Sequence, residues 1–446
     1  MARVADRLPR PPYDPEIEPI VQAAAAAATE QYESFEESFD LERLREEALK
    51  RESPRTEALL RDRRVTCEDL VVPGPRNNKL TLTVVRPAAA AADRNISNSN
   101  NRPCIFYVHG GAMVRSNRHA GLDTSVVWAA ELGATTVSVE YGLAPENPGT
   151  GPAEDCYAAL RWVRQNPSSL GIDAARIILY GVSAGGGLAA AVALMVRDRD
   201  GKGNGGGDGT PLPKLCGLFL KAPMLDDRNT SVSAQQYVTG PMYNSTINRM
   251  AWRCLLGERA GTTTTTTTTT TSSKAKTTAT TTTTITELVE GQEEGGEEAV
   301  VSAYEAPARA ADLSGLPPTY VDCGTADPFR DDAAAFASKL WAGGVAAEFH
   351  AWPGGPHAFD RIAPEAAVSV LAKSTRLAWM RRILGIPATT GAVADAGGSA
   401  GDRAANAGTR EGDRASQTLQ EQEQERKKQQ QQQIENGGKV GEQTIE

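Results

Sequence analysis

The chain has 446 residues, enough for one large catalytic domain carrying insertions. Its formal net charge of −9, with no basic stretch interleaved with aromatics, speaks against nucleic acid or an anionic membrane as partner. No run approaches the roughly 20 apolar residues that span a bilayer, so no stable membrane insertion is expected.

The N-terminal stretch MARVADRLPRPPYDPE carries basic residues without an apolar core, so no secretory signal is read there and a cytoplasmic location is expected. Residues 15–62 are rich in Ala, Glu, Leu and Arg, and DLERLREEALKRE has helical spacing with charge pairs. Residues 1–63 are therefore predicted to be N-terminal helices. Strand-like runs follow at 64–72 and 79–87, then a polar loop over 88–102. From 103 the pattern alternates. Strands are predicted at 103–111, 133–146, 176–187, 215–225, 318–327 and 345–355. Helices are predicted at 154–166, 188–200, 331–344 and about 364–385, with a further helix around Trp252. Apolar strands alternating with amphipathic helices indicate an α/β fold: a mostly parallel sheet covered on both faces, spanning 64–387. Low-complexity insertions are expected at 201–213 (Gly-rich) and 261–299 (a Thr tract, then Glu/Gly), and a disordered polar tail at 388–446. The six cysteines, scattered through apolar runs without CxxC spacing, are expected as buried free thiols in a reducing compartment, not as a metal site.

The chemistry concentrates in three places. Gly181-Val182-Ser183-Ala184-Gly185 matches G-x-S-x-G, directly after an apolar strand and before an Ala-rich helix. That context suits a sharp strand-to-helix turn that lifts a serine hydroxyl into the open. His109-Gly110-Gly111-Ala112 ends the strand at 103–108. The N–H groups of Gly110 and Gly111, with that of Ala184, are expected to form an oxyanion hole, where a side chain would block the carbonyl's approach. The base must come from four histidines. His109 belongs to the oxyanion loop and is expected to brace it by hydrogen bonding. His119 lies in the next loop, and His350 sits within a strand pattern as a structural residue. His357, just past a strand's carboxyl end in PGGPHAF, is the candidate. The orienting acid should lie between Ser and His in chain order. Asp327, in the loop of GTADPFRDD, is favoured over Asp331 and Asp332, which read as first-turn helix residues, and over Asp322 inside the strand.

Together the HGGA and GVSAGG motifs, YGLAPE at 141–146, the AEDCYAALRWV helix, PARAADLSGLPPTYVDCGTADPFRDD at 307–332 and GGPHAF at 354–359 resemble the hormone-sensitive-lipase-like (fold-3) family of α/β-hydrolases. The resemblance runs from about 103 to 385. It implies the α/β-hydrolase fold, a triad of Ser183, Asp327 and His357, an oxyanion hole of Gly110, Gly111 and Ala184, and N-terminal helices capping the site. Three positions depart from the family's pattern: Ala112 where a third Gly is usual, Val182 where Asp is frequent, and Gly142 where Arg is usual. The first bears on the acyl side of the pocket, the last on local loop packing.

The expected activity is hydrolysis of carboxylic esters with short to medium acyl or aryl groups, through an acyl-enzyme and without metal or organic cofactor. The partner is a small-molecule ester, and a homodimer is compatible with this reading. Two alternatives stay open. One is a non-catalytic, small-ligand receptor-like module on the same fold, which would be expected to lose a triad member. The other is an amide or carbamate hydrolase with the same triad.

Overall fold

The apolar runs pair into one eight-stranded sheet. The computed structural model describes residues 8–28, 40–88, 101–200, 212–262, 266–268, 284–286 and 300–387. The strands are β1 (Val65–Pro73), β2 (Lys79–Pro87), β3 (Arg102–Val108), β4 (Thr135–Val139), β5 (Ile172–Val182), β6 (Gly217–Lys221), β9 (Thr319–Gly324) and β10 (Ala347–Trp352), in spatial order β1-β2-β4-β3-β5-β6-β9-β10. From β4 to β10 every pairing is parallel; β2 runs antiparallel to both β1 and β4. Two three-residue strands within the Thr tract, β7 (Thr266–Thr268) and β8 (Thr284–Thr286), pair antiparallel. Residues 263–265, 269–283 and 287–299 of that insertion, residues 201–211 of the Gly-rich one, residues 89–100 of the polar loop, the tail from 388, and residues 1–7 and 29–39 of the expected N-terminal helices lie outside the described residues.

The helices, in chain order, are α1 (Glu18–Ala28), α2 (Leu41–Arg61), α3 (Ser125–Leu132), α4 (Gly151–Gln165), α5 (Pro167–Leu170), α6 (Ala184–Met195), α7 (Val232–Gln236), α8 (Ser245–Leu256), α9 (Arg330–Ala342), α10 (Phe359–Ile362) and α11 (Ala367–Ile383). Alternation along the strands sorts the core into two layers. Cys104, Phe106, Val108, Ile177 and Leu179 face the layer made with α4, α6, α8 and α9. Ile105, Tyr107, Ile178 and Tyr180 face α3 and α11. On that second face Tyr107, Tyr180, Phe219 and Tyr320, from four neighbouring strands, stack in a row with centroids 5.6, 4.5 and 4.4 Å apart. Burying each such ring contributes roughly 1.5–3 kcal/mol. Burial on both faces is why these strands read as continuous apolar runs.

Most strands are shorter than the apolar runs that announced them, and other elements also depart from the sequence expectation. The strand predicted over 133–146 is only β4, because the chain turns out of the sheet after Val139 and the Ala144 N–H donates to the Met113 carbonyl, 2.8 Å, in a loop instead. The helix after the nucleophile motif starts at Ala184 rather than 188. Its glycines are helical because they sit under close backbone approaches: a Cβ on Gly185 would lie 2.1 Å from the Val108 oxygen, and one on Gly187 2.0 Å from the Met224 oxygen. Finally, α3, α5, α7 and α10 fall in stretches where no helix was expected. All six cysteines are free, with Cys104, Cys156 and Cys323 buried and the other three partly so. No helix among the described residues is long and apolar enough to cross a membrane.

Candidate active site

The site forms at the carboxyl ends of β3, β5, β9 and β10. Ser183 follows β5 with φ 56° and ψ −121°, a conformation that costs a non-glycine residue on the order of 1–3 kcal/mol. Four backbone bonds hold it there. The Ser183 N–H donates to the Lys221 carbonyl (2.8 Å), and the Ser183 carbonyl accepts from Gly186 (2.9 Å), Gly187 (3.2 Å) and Met224 (2.9 Å). The turn demands small flanking residues: a Cβ on Gly181 would stand 2.0 Å from the Gly185 oxygen.

His357 arrives from the loop after β10, and Asp327 from the loop after β9. The two loops are stitched together by Thr325 N–H to Trp352 O (2.8 Å), Ala326 N–H to Gly355 O (3.1 Å) and Gly354 N–H to Thr325 Oγ1 (2.8 Å). His357 Nε2 lies 3.0 Å from Ser183 Oγ, and His357 Nδ1 lies 2.7 Å from Asp327 Oδ2. Asp327 is fully buried, and its other oxygen accepts the Phe329 N–H at 2.9 Å. The three residues singled out in the sequence thus meet in one hydrogen-bonded line. Asp331 accepts from the Ser233 N–H and from Arg330, and Asp322 bonds Arg376 and Trp352. Asp332 lies near Asp226, Asp331 and Arg228; burial and the neighbouring carboxylates push its carboxyl up to about 7.

The loop after β3 is bent by three consecutive positive φ angles, Gly111 (127°), Ala112 (58°) and Met113 (63°). Only glycine fits at 111, where a Cβ would lie 2.1 Å from the Arg115 oxygen. Among the described residues the Gly110, Gly111 and Ala184 N–H groups donate to no protein acceptor. His109 is buried under this loop, stacked on Tyr141 at 4.2 Å, with Nδ1 2.8 Å from the Gly110 carbonyl, and burial lowers its pKa, favouring the neutral ring. His350 bonds Glu348 within β10 and stacks on Tyr320 and Trp352. At the Gly142 departure, the buried Asp155 carboxylate accepts from the Gly142 N–H (3.1 Å) and Asn147 (2.9 Å), and takes its cation from Arg76 (2.8 Å).

Sequence reasoning missed several parts of this site. Tyr243 and Phe329 pack on the His357 ring at 4.9 and 5.3 Å, and the residue spacing gave no sign of either. A buried ion network lies behind the imidazole loop. Asp360 Oδ2 accepts from Lys221 Nζ (2.6 Å) and Arg376 Nη1 (2.5 Å), while Arg376 Nε donates to Asp322 (2.6 Å). The two cations hold the Asp360 carboxyl well below the usual range despite its burial. Arg376 is buried on α11, where the sequence pattern showed only a helix. Finally, Ser183 and His357 open into a cavity of about 520 Å³ whose wall includes α2. α2 is anchored by Arg45, which donates to both Glu146 oxygens (2.8 and 2.7 Å) and to the Val114 and Ala144 carbonyls.

A serine hydroxyl beside an imidazole, an imidazole beside a buried carboxylate and unspent N–H groups nearby can perform acyl transfer. Fold and site define an esterase-type hydrolase. The described relatives agree. Carboxylesterase NlhH of Mycobacterium tuberculosis is 30% identical over 296 residues, covering 64% of this chain and 75% of its own. Hormone-sensitive lipase of Bos taurus is 36% identical over 119 residues, 27% of this chain and 14% of its own. The solved structure of a bacterial heroin esterase superposes with a TM-score of 0.62 at 31% identity, covering 83% of this chain and 98% of that one. Residues 105–287 and 259–361 match the family described as alpha/beta hydrolase fold, and the chain belongs to it.

Proposed function

We propose that the protein hydrolyses carboxylic esters through Ser183, His357 and Asp327, with α1 and α2 serving as the cap of the site. The observation that carries this reading is the continuous Ser183–His357–Asp327 hydrogen-bond line at 3.0 and 2.7 Å in a cavity open to a ligand. His357 takes the Ser183 proton as Oγ attacks the ester carbonyl. The oxyanion accepts from the Gly110, Gly111 and Ala184 N–H groups. His357 then protonates the leaving alcohol, and afterwards deprotonates the water that releases the acid from Ser183. Asp327 fixes the imidazole tautomer and stabilises the imidazolium. A receptor-like role is disfavoured by the intact Ser-His-Asp set, and an amide or carbamate substrate would use the same groups. The test is hydrolysis of a 4-nitrophenyl ester series, from acetate upward, by wild type and Ser183→Ala. The expected result is turnover on short to medium chains that falls by about 10⁴-fold or more in the variant. Equal turnover in both proteins would sink the mechanism.

A further inference from the structure

The charge on the cavity wall says something about the ester itself. The face of α2 that lines the cavity carries Arg43, Glu47, Arg51, Glu52 and Arg55, at the helical spacing that puts them on one side. The acids there are already engaged. Glu47 accepts from Arg43 at 3.0 Å, and Glu52 accepts from Arg361 at 3.1 and 2.9 Å. Asp40, also on the wall, caps the helix by accepting the Arg43 N–H at 2.9 Å. Among the described residues, Arg51 and Arg55 have no carboxylate partner. Arg51 is exposed and Arg55 half-buried. Arg115 adds a further positive charge to the same wall.

A cavity that shares its space with two guanidinium groups lacking a carboxylate partner among the described residues, in a protein of net charge −9, is locally cationic against the sign of the whole. Guanidinium groups recognise carboxylates by paired N–H donation. We propose that the site takes esters whose acyl or alcohol half ends in a carboxylate, held by Arg51 and Arg55 while the ester carbonyl sits at Ser183. This rests on the ester-hydrolase reading above and narrows it to a substrate class. About 520 Å³ holds an ester with such an arm, since small-molecule sites run from roughly 300 to 1,000 Å³. Each guanidinium lies at a solvent-accessible wall, so each contributes modestly and the pair contributes about tenfold in selectivity.

The experiment compares kcat/KM within two matched pairs. 4-Nitrophenyl hydrogen adipate against 4-nitrophenyl pentanoate places the charge on the acyl half. 4-Acetoxybenzoate against 4-acetoxybenzamide places it on the alcohol half. Wild type should favour the anionic member of at least one pair. That preference should fall about tenfold in Arg51→Gln/Arg55→Gln, through KM, fall further in Arg51→Glu/Arg55→Glu, and shrink as salt is added. Arg51→Lys/Arg55→Lys should retain part of it. Neutral members favoured in both pairs, or a ratio within twofold of wild type in the Gln and Glu variants, would overturn the proposal while leaving the esterase standing. No turnover on any of the four by folded wild type would overturn both.

Discussion

One wall of the cavity is made of backbone and small residues; the other is made of long charged side chains. Around Ser183 the chain presents Gly110, Gly111, Ala112 and Val182, and a Cβ at Gly111 would stand only 2.1 Å from the Arg115 oxygen. From α2 it presents arginines and glutamates whose positions depend on one another and on Arg361 of α10. The first wall holds the N–H groups proposed to receive the oxyanion beside Ser183. The second has the features that would choose among esters. Under the proposed mechanism and selectivity the backbone wall serves the chemistry and the charged helix face serves the choice, so the two should respond differently to substitution.

The largest effect that would sharpen this contrast is at the buried carboxylate. Asp327→Asn keeps the shape but removes the charge behind His357, and kcat should fall by about 10³–10⁴ with KM little changed. A drop of under tenfold, measured on a 4-nitrophenyl ester, would show that the imidazole is oriented by something else. Next is the network behind the same loop. Asp360→Asn leaves Lys221 and Arg376 facing each other without their shared anion, which should cost about 3–5 kcal/mol by urea denaturation. Because the folded Asp360 carboxyl is depressed, its contribution is present above the unfolded carboxylate range and is lost as pH falls below about 4. The variant's stability should accordingly fall less steeply with acid than wild type's.

Asp332 works with the opposite sign. With its carboxyl raised to about 7, the folded protein holds a proton that the unfolded chain releases near pH 4. Stability contributed there is present at low pH and is lost as pH rises from about 4 to 7. Asp332→Asn should be more stable than wild type at pH 8 by about 1–2 kcal/mol, with the gain vanishing near pH 4 in paired denaturation curves. The smallest effect concerns the chemical wall itself. Ala112 sits at φ 58°, which disfavours a side chain by about 1–2 kcal/mol, part of it offset by the greater freedom of an unfolded glycine. Ala112→Gly should raise stability by about 0.5 kcal/mol, read as a small rise in Tm. A loss larger than that would mean the Ala112 methyl packs usefully in the loop.

How much of this was legible follows from range. Ser183, Gly110 and Gly111 announce themselves because a strained turn and an unobstructed N–H impose residue types on their immediate neighbours. His357 and Asp327 were singled out by position, since each follows an apolar strand, and chain order did the rest; the fold brings them into one hydrogen-bonded line with Ser183. The sheet was readable because strands buried on both faces leave unbroken apolar runs. What stayed hidden depends on pairing across long separations. Lys221, Asp360 and Arg376 are each ordinary charges in the sequence, and only β6 beside α10 and α11 makes them a network. Tyr243 reaches His357 from a stretch with no strand or helix pattern. The α2 charges look like a solvated helix face until the fold turns that face over the cavity. Boundaries failed where glycines were read as turn formers, as at 185–187, although their role is to let a helix pass against backbone.

The order of strands has a practical consequence for building on this protein. β6 and β9 are neighbours in the sheet, yet nearly a hundred residues separate them in the chain, and Ser183 lies before that excursion while Asp327 and His357 lie after it. Both ends of the excursion are therefore clamped by one ladder, Leu218 against Thr319 through Lys221 against Asp322. A reporter domain spliced between residues 262 and 300 would leave and re-enter from fixed points, so the protein offers an internal fusion port that length alone should not disturb.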